Sequence, residues 1–129
     1  MGVFFLVVII VAGICYAANP FLRVKVFITL HHEKIEAAME NGHGVPVLGY
    51  KSVNTWPGDH PMTEFILFAL GDTYYGCYYS PDDEPVAFQN VPVVLTQNGH
   101  EYWIWQAEGD NHGATQRIRE NWFYFKASY

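Results

Sequence analysis

Two short acidic segments contain the residue types that could bind a cation or transfer a proton. Residues 82–84 read Asp-Asp-Glu between two prolines, and adjacent carboxylates can supply oxygen ligands to calcium. Residues 110–112 read Asp-Asn-His between two glycines, an order in which the carboxylate could orient the imidazole as a base. Neither segment has the spaced D-x-D-x-D-G pattern, and these residue types are also common in turns. We therefore favour two turns, and retain four side chains as candidate ligand-binding residues: Asp82, Asp83, Asp110 and His112.

A cluster of His31, His32 and Glu36 is a second candidate for metal binding. His32 and Glu36 are four residues apart, so that both side chains would lie on one face of a helix. The sequence indicates no further ligand and has no HExxH pattern, although a zinc site needs at least three protein ligands. We therefore expect no metal and no cofactor.

A metal-dependent hydrolase is an alternative that requires the two acidic segments to meet. Asp82, Asp83 and Asp110 would have to converge with His112 in one cleft. The sequence has no GxSxG motif and no cysteine placed as a nucleophile. We therefore expect a binding protein rather than an enzyme.

Aromatic residues are more numerous than a domain of this size needs for its core. The chain contains 9 Tyr, 9 Phe and 4 Trp among 129 residues. Rings exposed on one sheet face could stack on sugars or hold a peptide, although burial in the core is the default. The rings considered are Trp56, Tyr75, Tyr79, Trp103, Trp105, Trp122 and Tyr124, and the first five are candidate ligand-binding residues.

The chain begins with an apolar run that could enter a membrane. Residues 3–18 contain no charge and no proline, and as a helix they would span about 24 Å. A bilayer core requires about 30 Å, so the helix would have to continue towards residue 22. Residues 1–18 are therefore predicted to be a signal anchor or a cleaved signal peptide, and we favour the uncleaved anchor.

The charge distribution bears on orientation and on partners. The formal net charge is −6, which argues against a nucleic-acid partner. Arg23 and Lys25 follow the apolar run and no basic residue precedes it, so positive-inside counting alone would place the rest of the chain in the cytoplasm. We instead expect an extracytoplasmic domain, secreted if the signal is cleaved, because acidic domains are readily exported; the two charges leave the other orientation open.

Hydrophobic periodicity predicts an α+β chain with three parts. After the segment 1–18, residues 19–42 are expected to form a juxtamembrane helix, with Asn19-Pro20 at its start and Gly42 at its end, although the β-branched stretch at residues 24–30 could form a strand instead. Residues 43–129 change to period two, which predicts an antiparallel meander or half-barrel of about five or six strands. Residues 114–121 are expected to be irregular or helical, and Asn98-Gly99 to form a two-residue hairpin turn.

Several phrases of the sequence occur together in one group of proteins: "NPFLRVKVF", "HPMTEFILFALG", "TYYGCYYSPDDEPVAFQN", "GDNHG" and "NWFYFKASY". Through them the chain resembles an uncharacterised group of small single-anchor membrane proteins from Gram-positive gut bacteria. The resemblance covers nearly the whole chain, and implies a membrane-anchored, mostly β module outside the cytoplasm. It implies no activity. We therefore expect the membrane and a protein or envelope component as partners, with an accessory subunit of a membrane complex as the alternative.

Overall fold

The chain folds into two helices followed by one antiparallel sheet, as a computed structural model describes for residues 2–42, 44 and 49–129. The predicted α+β class is confirmed. The elements are α1 Gly2–Ala18, α2 Pro20–Glu40, β1 Ser52–Trp56, β2 Met62–Leu70, β3 Thr73–Tyr79, β4 Thr96–Gln97, β5 Tyr102–Gln106, β6 His112–Arg119 and β7 Trp122–Ser128, with a single 3-10 turn at Phe88–Asn90.

Local capping separates the two helices at one residue. Asn19 is extended, and its side-chain oxygen accepts the N–H of Leu22 at 3.1 Å, while Pro20 occupies the first helical position. Helix α2 ends at Glu40, Asn41 is its C-cap, and Gly42 follows with a φ of +71°. The β-branched stretch at the start of α2 is helical because its apolar face, including Val24 and Ile28, is buried on the sheet.

Helix α1 has 17 residues, about 26 Å of helix. Among residues 2–42, 44 and 49–129, no helix combines the length and apolarity of a membrane-crossing segment. The expectation that residues 1–18 form a membrane-spanning helix is therefore not supported.

The sheet has seven strands, more than the five or six expected. Their order is β1-β2-β3-β7-β6-β5-β4, and every pairing is antiparallel. The sheet is not one continuous meander, because β3 pairs with β7 and residues 80–95, here called the crossover segment, carry the chain to the far edge. The additional strand is β6, where irregular or helical structure was expected; this expectation was wrong because pairing with both β5 and β7 outweighs the weak local signal.

The hairpin turn expected at Asn98-Gly99 was wrong in detail, and the segment before it is mostly not a strand. Of residues 91–97, which have a strand-like composition, only Thr96 and Gln97 pair with a neighbouring strand. Val91, Val93 and Leu95 pack over the sheet, and Pro92 has no N–H to donate to a ladder. The β4–β5 turn contains four residues rather than two, with positive φ angles at Gly99 and Glu101.

A separate hydrophobic core covers each face of the sheet. Helix α2 packs on the face called here the helix face, around Val24, Phe27, Ile28, Ile35, Phe65, Cys77, Trp122 and Tyr124. The crossover segment packs on the opposite face, called the crossover face, around Met62, Tyr78, Val86, Ala87, Trp105, Phe123, Phe125 and Ala127. Two-sided burial explains why several strands are apolar on both faces.

Gly76 allows a close approach between strands β2 and β3. A Cβ atom at this position would collide with the carbonyl oxygen of Phe65 and crowd the ring of Phe125. The register between β2 and β3 shifts next to it, between Ile66 and Phe68, which marks an irregularity in β2. Gly76 therefore allows β2 to bend without losing its pairing to β3.

Replacing Cys77 with Asp should destabilise the fold by about 3–5 kcal/mol, because it would bury an unpaired charge in the core beneath α2. The free thiol of Cys77 is fully buried, and this burial raises its pKa. The measurement is the midpoint of urea unfolding. Cys77→Ala is the matched control and should cost far less; equal losses for the two variants would contradict a buried site.

Candidate ligand-binding site

The acidic segment after β3 is a tightly bonded turn. The buried hydroxyl of Ser80 lies 3.1 Å from Asp82 Oδ1 and 2.9 Å from the carbonyl of Glu84, and it accepts the N–H of Glu84 at 3.1 Å. Asp83 adopts a φ of +58° within this loop. The Asn121 side chain donates to the carbonyls of Ser80 and Pro81, so that the β6–β7 turn holds the loop from the other side.

The carboxylates of this turn already have partners in the protein. Asp82 contacts His60 Nδ1 at 2.7 Å, and this hydrogen bond lowers the pKa of Asp82 and raises that of His60. Asp83 pairs with Arg117 and accepts the N–H of Asn121 at 2.8 Å. In the described part of the chain no three ligand-type side chains come close enough to hold a metal ion. The geometry therefore favours a structural turn.

The two acidic segments lie at opposite ends of the sheet. Asp82 and Asp83 follow Tyr79, the last residue of β3, whereas His112 aligns through Ser128 with Thr73, the first residue of β3. Six residue steps separate these positions, about 20 Å along a strand. The structure therefore does not form the shared cleft that a hydrolase would need.

The partner of His112 is not the one considered from the sequence. Its Nδ1 lies 2.6 Å from the main-chain carbonyl oxygen of Asp110, not from the carboxylate. This contact belongs to the β5–β6 turn, in which Gly109 has a φ of +67°. The segment therefore forms the turn that leads into β6, and the contact does not pair the imidazole with the Asp110 carboxylate.

The His32–Glu36 pair connects α2 to the sheet. The buried His32 has its Nε2 2.8 Å from an Arg119 guanidinium nitrogen, and its Nδ1 is 3.7 Å from Glu36. Glu36 also accepts the indole N–H of Trp122 at 2.8 Å. A guanidinium beside the imidazole disfavours a bound cation, and the contacts join α2 to β6 and β7.

The five candidate aromatic residues do not form one surface. Tyr75 stacks on Phe68 and Tyr79 packs on Trp122, with centroids 5.2 and 5.3 Å apart on the helix face. The other three, Trp56, Trp103 and Trp105, pack on the crossover face. Trp122 and Tyr124 are core residues.

A groove on the crossover face is bounded by aromatic residues and has a small residue, Ala127, at its floor. The cross-strand neighbours Tyr74, Ala127, Gly113 and Trp105 form a row across four strands. The indole ring of Trp105 lies over Gly113, so the open part of the row is at Ala127, and Phe88 of the crossover segment stacks on Tyr74 at 5.9 Å between centroids. The resulting cavity has a volume of about 500 Å³, within the range of small-molecule sites.

Polar groups surround this groove. The hydroxyl groups of Tyr74 and Tyr129 are 2.7 Å apart at its rim. The side-chain amides of Gln89 and Asn111 also line the groove, and neither has a hydrogen-bond partner within residues 2–42, 44 and 49–129. These groups are therefore available to a ligand.

Sequence reasoning identified Trp105 among the groove residues but missed Tyr74, Phe88, Gln89 and Asn111. The feature of the sequence that could have indicated the groove is a pair of small residues, Gly113 and Ala127, in strands with mostly larger side chains. Their alignment becomes visible only once the β3–β7 and β6–β7 registers are known. Asn111 was considered only as part of a turn.

A buried carboxylate supports one wall of the groove. Glu64 is fully buried, and its two oxygens accept the main-chain N–H of Gln89 at 2.9 Å and the indole N–H of Trp56 at 3.3 Å. Gln89 has a φ of +56°, so this hydrogen bond helps to hold an unusual backbone conformation. Burial raises the pKa of Glu64 to about 7, although both hydrogen bonds favour the ionised form.

Glu64→Gln should reduce the pH dependence of stability between about pH 5 and 7. The folded pKa of about 7 exceeds the ordinary 4.5, so the unfolded chain loses this proton first as the pH rises. Stability from Glu64 is thus fully present below pH 4.5 and is lost as the pH rises to about 7, by up to about 1.4 kcal/mol per pH unit.

The measurement is urea unfolding at several pH values in that interval. His60→Gln is the control for a second source of pH dependence. The pKa of His60 is also raised, so its stabilising contribution declines as the pH rises. An unchanged slope for Glu64→Gln would show that Glu64 is already ionised in the folded protein.

No protein-family model, curated protein or solved structure matches the chain. Function must therefore be inferred from the groove, the apolar helix α1 and the distribution of charge.

Proposed function

We propose that the chain is a membrane-tethered binding module outside the cytoplasm that takes a small ligand in the groove. The row Tyr74–Ala127–Gly113–Trp105 carries the proposal. Protein interiors are close-packed, and large side chains fill the rest of this face. A depression with unpaired amides at its edge is typical of a binding site rather than of a core.

The exposed surface of α1 supports the membrane tether. Its apolar side chains are open to solvent, with exposed fractions of 76% for Val3, 71% for Phe4 and 64% for Ile9. Soluble monomers rarely expose a continuous apolar surface of this kind. A helix that is apolar all round needs either a protein core or lipid to cover it. Its length of about 26 Å falls about 4 Å short of a bilayer core, a difference that local thinning can accommodate.

The charge distribution and the resemblance to single-anchor proteins support the outward orientation. Nine acidic residues and no Lys or Arg lie between Lys51 and Arg117. This acidic domain would be readily exported. Arg23 and Lys25 favour the opposite orientation, because positive-inside counting would place the rest of the chain in the cytoplasm. The Arg23 guanidinium also lies 3.7 Å from the centre of the Phe68 ring, a cation–π contact. Orientation therefore needs a direct test.

Labelling of a Val94→Cys variant with a membrane-impermeant maleimide tests the orientation. The Val94 side chain is 83% exposed, and we expect its replacement to be labelled in intact cells. The unmodified chain is the control, because it reports any labelling of the two native cysteines, Cys15 and Cys77, of which Cys77 is fully buried. Labelling only after lysis would place the domain in the cytoplasm and contradict the proposal.

Native mass spectrometry of the full chain, extracted from its own membrane in mild detergent, tests ligand binding. We expect a small molecule to accompany the unmodified protein and to be absent from Ala127→Leu, in which the larger side chain fills the groove floor. Because Ala127 is only 2% exposed, the urea-unfolding midpoint of this variant is measured as well, and Gln89→Ala, at an exposed position of the lining, should also weaken retention of the ligand. Val94→Leu, at an exposed position away from the groove lining, is the control and should keep the ligand. A protein that carries no small molecule, or one that Ala127→Leu retains, would contradict a binding role for the groove.

A further inference from the structure

We infer that the groove binds a saccharide unit carrying a single negative charge. This inference rests on the proposed binding function and names the chemical class of the ligand. It follows from three properties of the groove lining: its charge, its polar groups and its aromatic walls.

The charge of the lining favours one anionic group. Of the described residues that line the groove, Lys51 alone has a charged side chain. The next basic residue along the chain is Arg117, and this pairs with Asp83 and Glu101 towards the other end of the sheet. One cation in an acidic domain attracts a single carboxylate, whereas a polyanion would meet repulsion from the surrounding acidic residues.

The polar groups favour a ligand with many hydroxyl groups. The amides of Gln89 and Asn111, the hydroxyl of Ser52 and the paired hydroxyls at Tyr74 and Tyr129 all border the cavity. A flat aromatic acid has too few donors and acceptors to pair with them. A sugar ring offers hydroxyl groups around its edge, so that each of these groups could keep a partner after water is displaced.

The walls favour a ring with apolar faces. Tyr74 and Phe88 lie on one side of Ala127, and the indole ring of Trp105, which covers Gly113, lies on the other. Tyr74 and Gly113 are two strands apart, about 10 Å between backbones, so the two aromatic walls face each other across Ala127. The C–H faces of a sugar ring pack well against aromatic side chains, while its edge stays polar.

Ligand-observed NMR titration of the full chain in detergent tests the inference. The probes are the methyl glycosides of glucuronic and galacturonic acid, their neutral glucose and galactose counterparts, and benzoate. We expect at least one acidic sugar to bind about fivefold or more tightly than its neutral counterpart, and benzoate not to bind. Absence of binding by both acidic sugars, or tighter binding of benzoate, would overturn the inference.

Two variants and one control connect the binding to the groove. Lys51→Gln should lower the affinity for the acidic sugar to that for the neutral one, and Ala127→Leu should abolish binding of both. Lys126→Gln is the control, because Lys126 projects from the opposite face of β7 and should leave both affinities unchanged. An acidic sugar that binds Lys51→Gln as tightly as the unmodified chain would refute the charge argument.

The outcomes separate this inference from the proposed function. A co-purified small molecule that is not a sugar, and that Ala127→Leu loses, would refute the saccharide inference while leaving the binding function in place. If no molecule co-purifies and no probe binds, both fail.

Discussion

The pairing of β3 with β7 is the contact on which the rest of the structure depends. It joins two units of consecutive strands, β1–β3 and β4–β7, into one sheet. Buried hydrogen bonds fix it: the Tyr78 hydroxyl lies 2.6 Å from that of Thr115, which donates to the carbonyl of Tyr124. The Tyr78 hydroxyl also accepts the N–H of Val86, so the same network positions the crossover segment. A slip of one residue would exchange the two faces of β7.

This pairing explains why sequence reasoning predicted the elements better than the site. Helix α2 was predictable because its signals are local: the Asn19 cap, Pro20 and an apolar face of period 3.6. Strand β6 was not, because Thr115 and Gln116 acquire strand structure from both neighbouring strands rather than from their own propensity. The groove was less predictable still, since it requires residues 74, 127, 113 and 105 to be aligned across four strands.

The two ends of the sheet have different physical roles. At the Tyr79 end, charged side chains pair with one another within the protein. Arg117, for example, joins Asp83 of the acidic turn to Glu101 of the β4–β5 loop. At the Thr73 end, small side chains leave open space and the polar groups face it. The acidic residues at the Tyr79 end can be read directly from the sequence. The open space at the Thr73 end can only be inferred, because it comes from the small volume of the side chains there.

The position of α2 determines which face of the sheet can receive a ligand. His32 and Glu36 bind Arg119 and Trp122, so α2 covers the helix face close to β6 and β7. The crossover face is covered by a segment without regular strands, and one of the contacts that hold its groove wall is the hydrogen bond that the Gln89 N–H donates to Glu64. Because burial raises the pKa of Glu64 to about 7, ionisation of this carboxylate changes the strength of that hydrogen bond near neutral pH. The crossover face thus carries both a hydrophobic core and the groove, whereas α2 covers the core of the helix face.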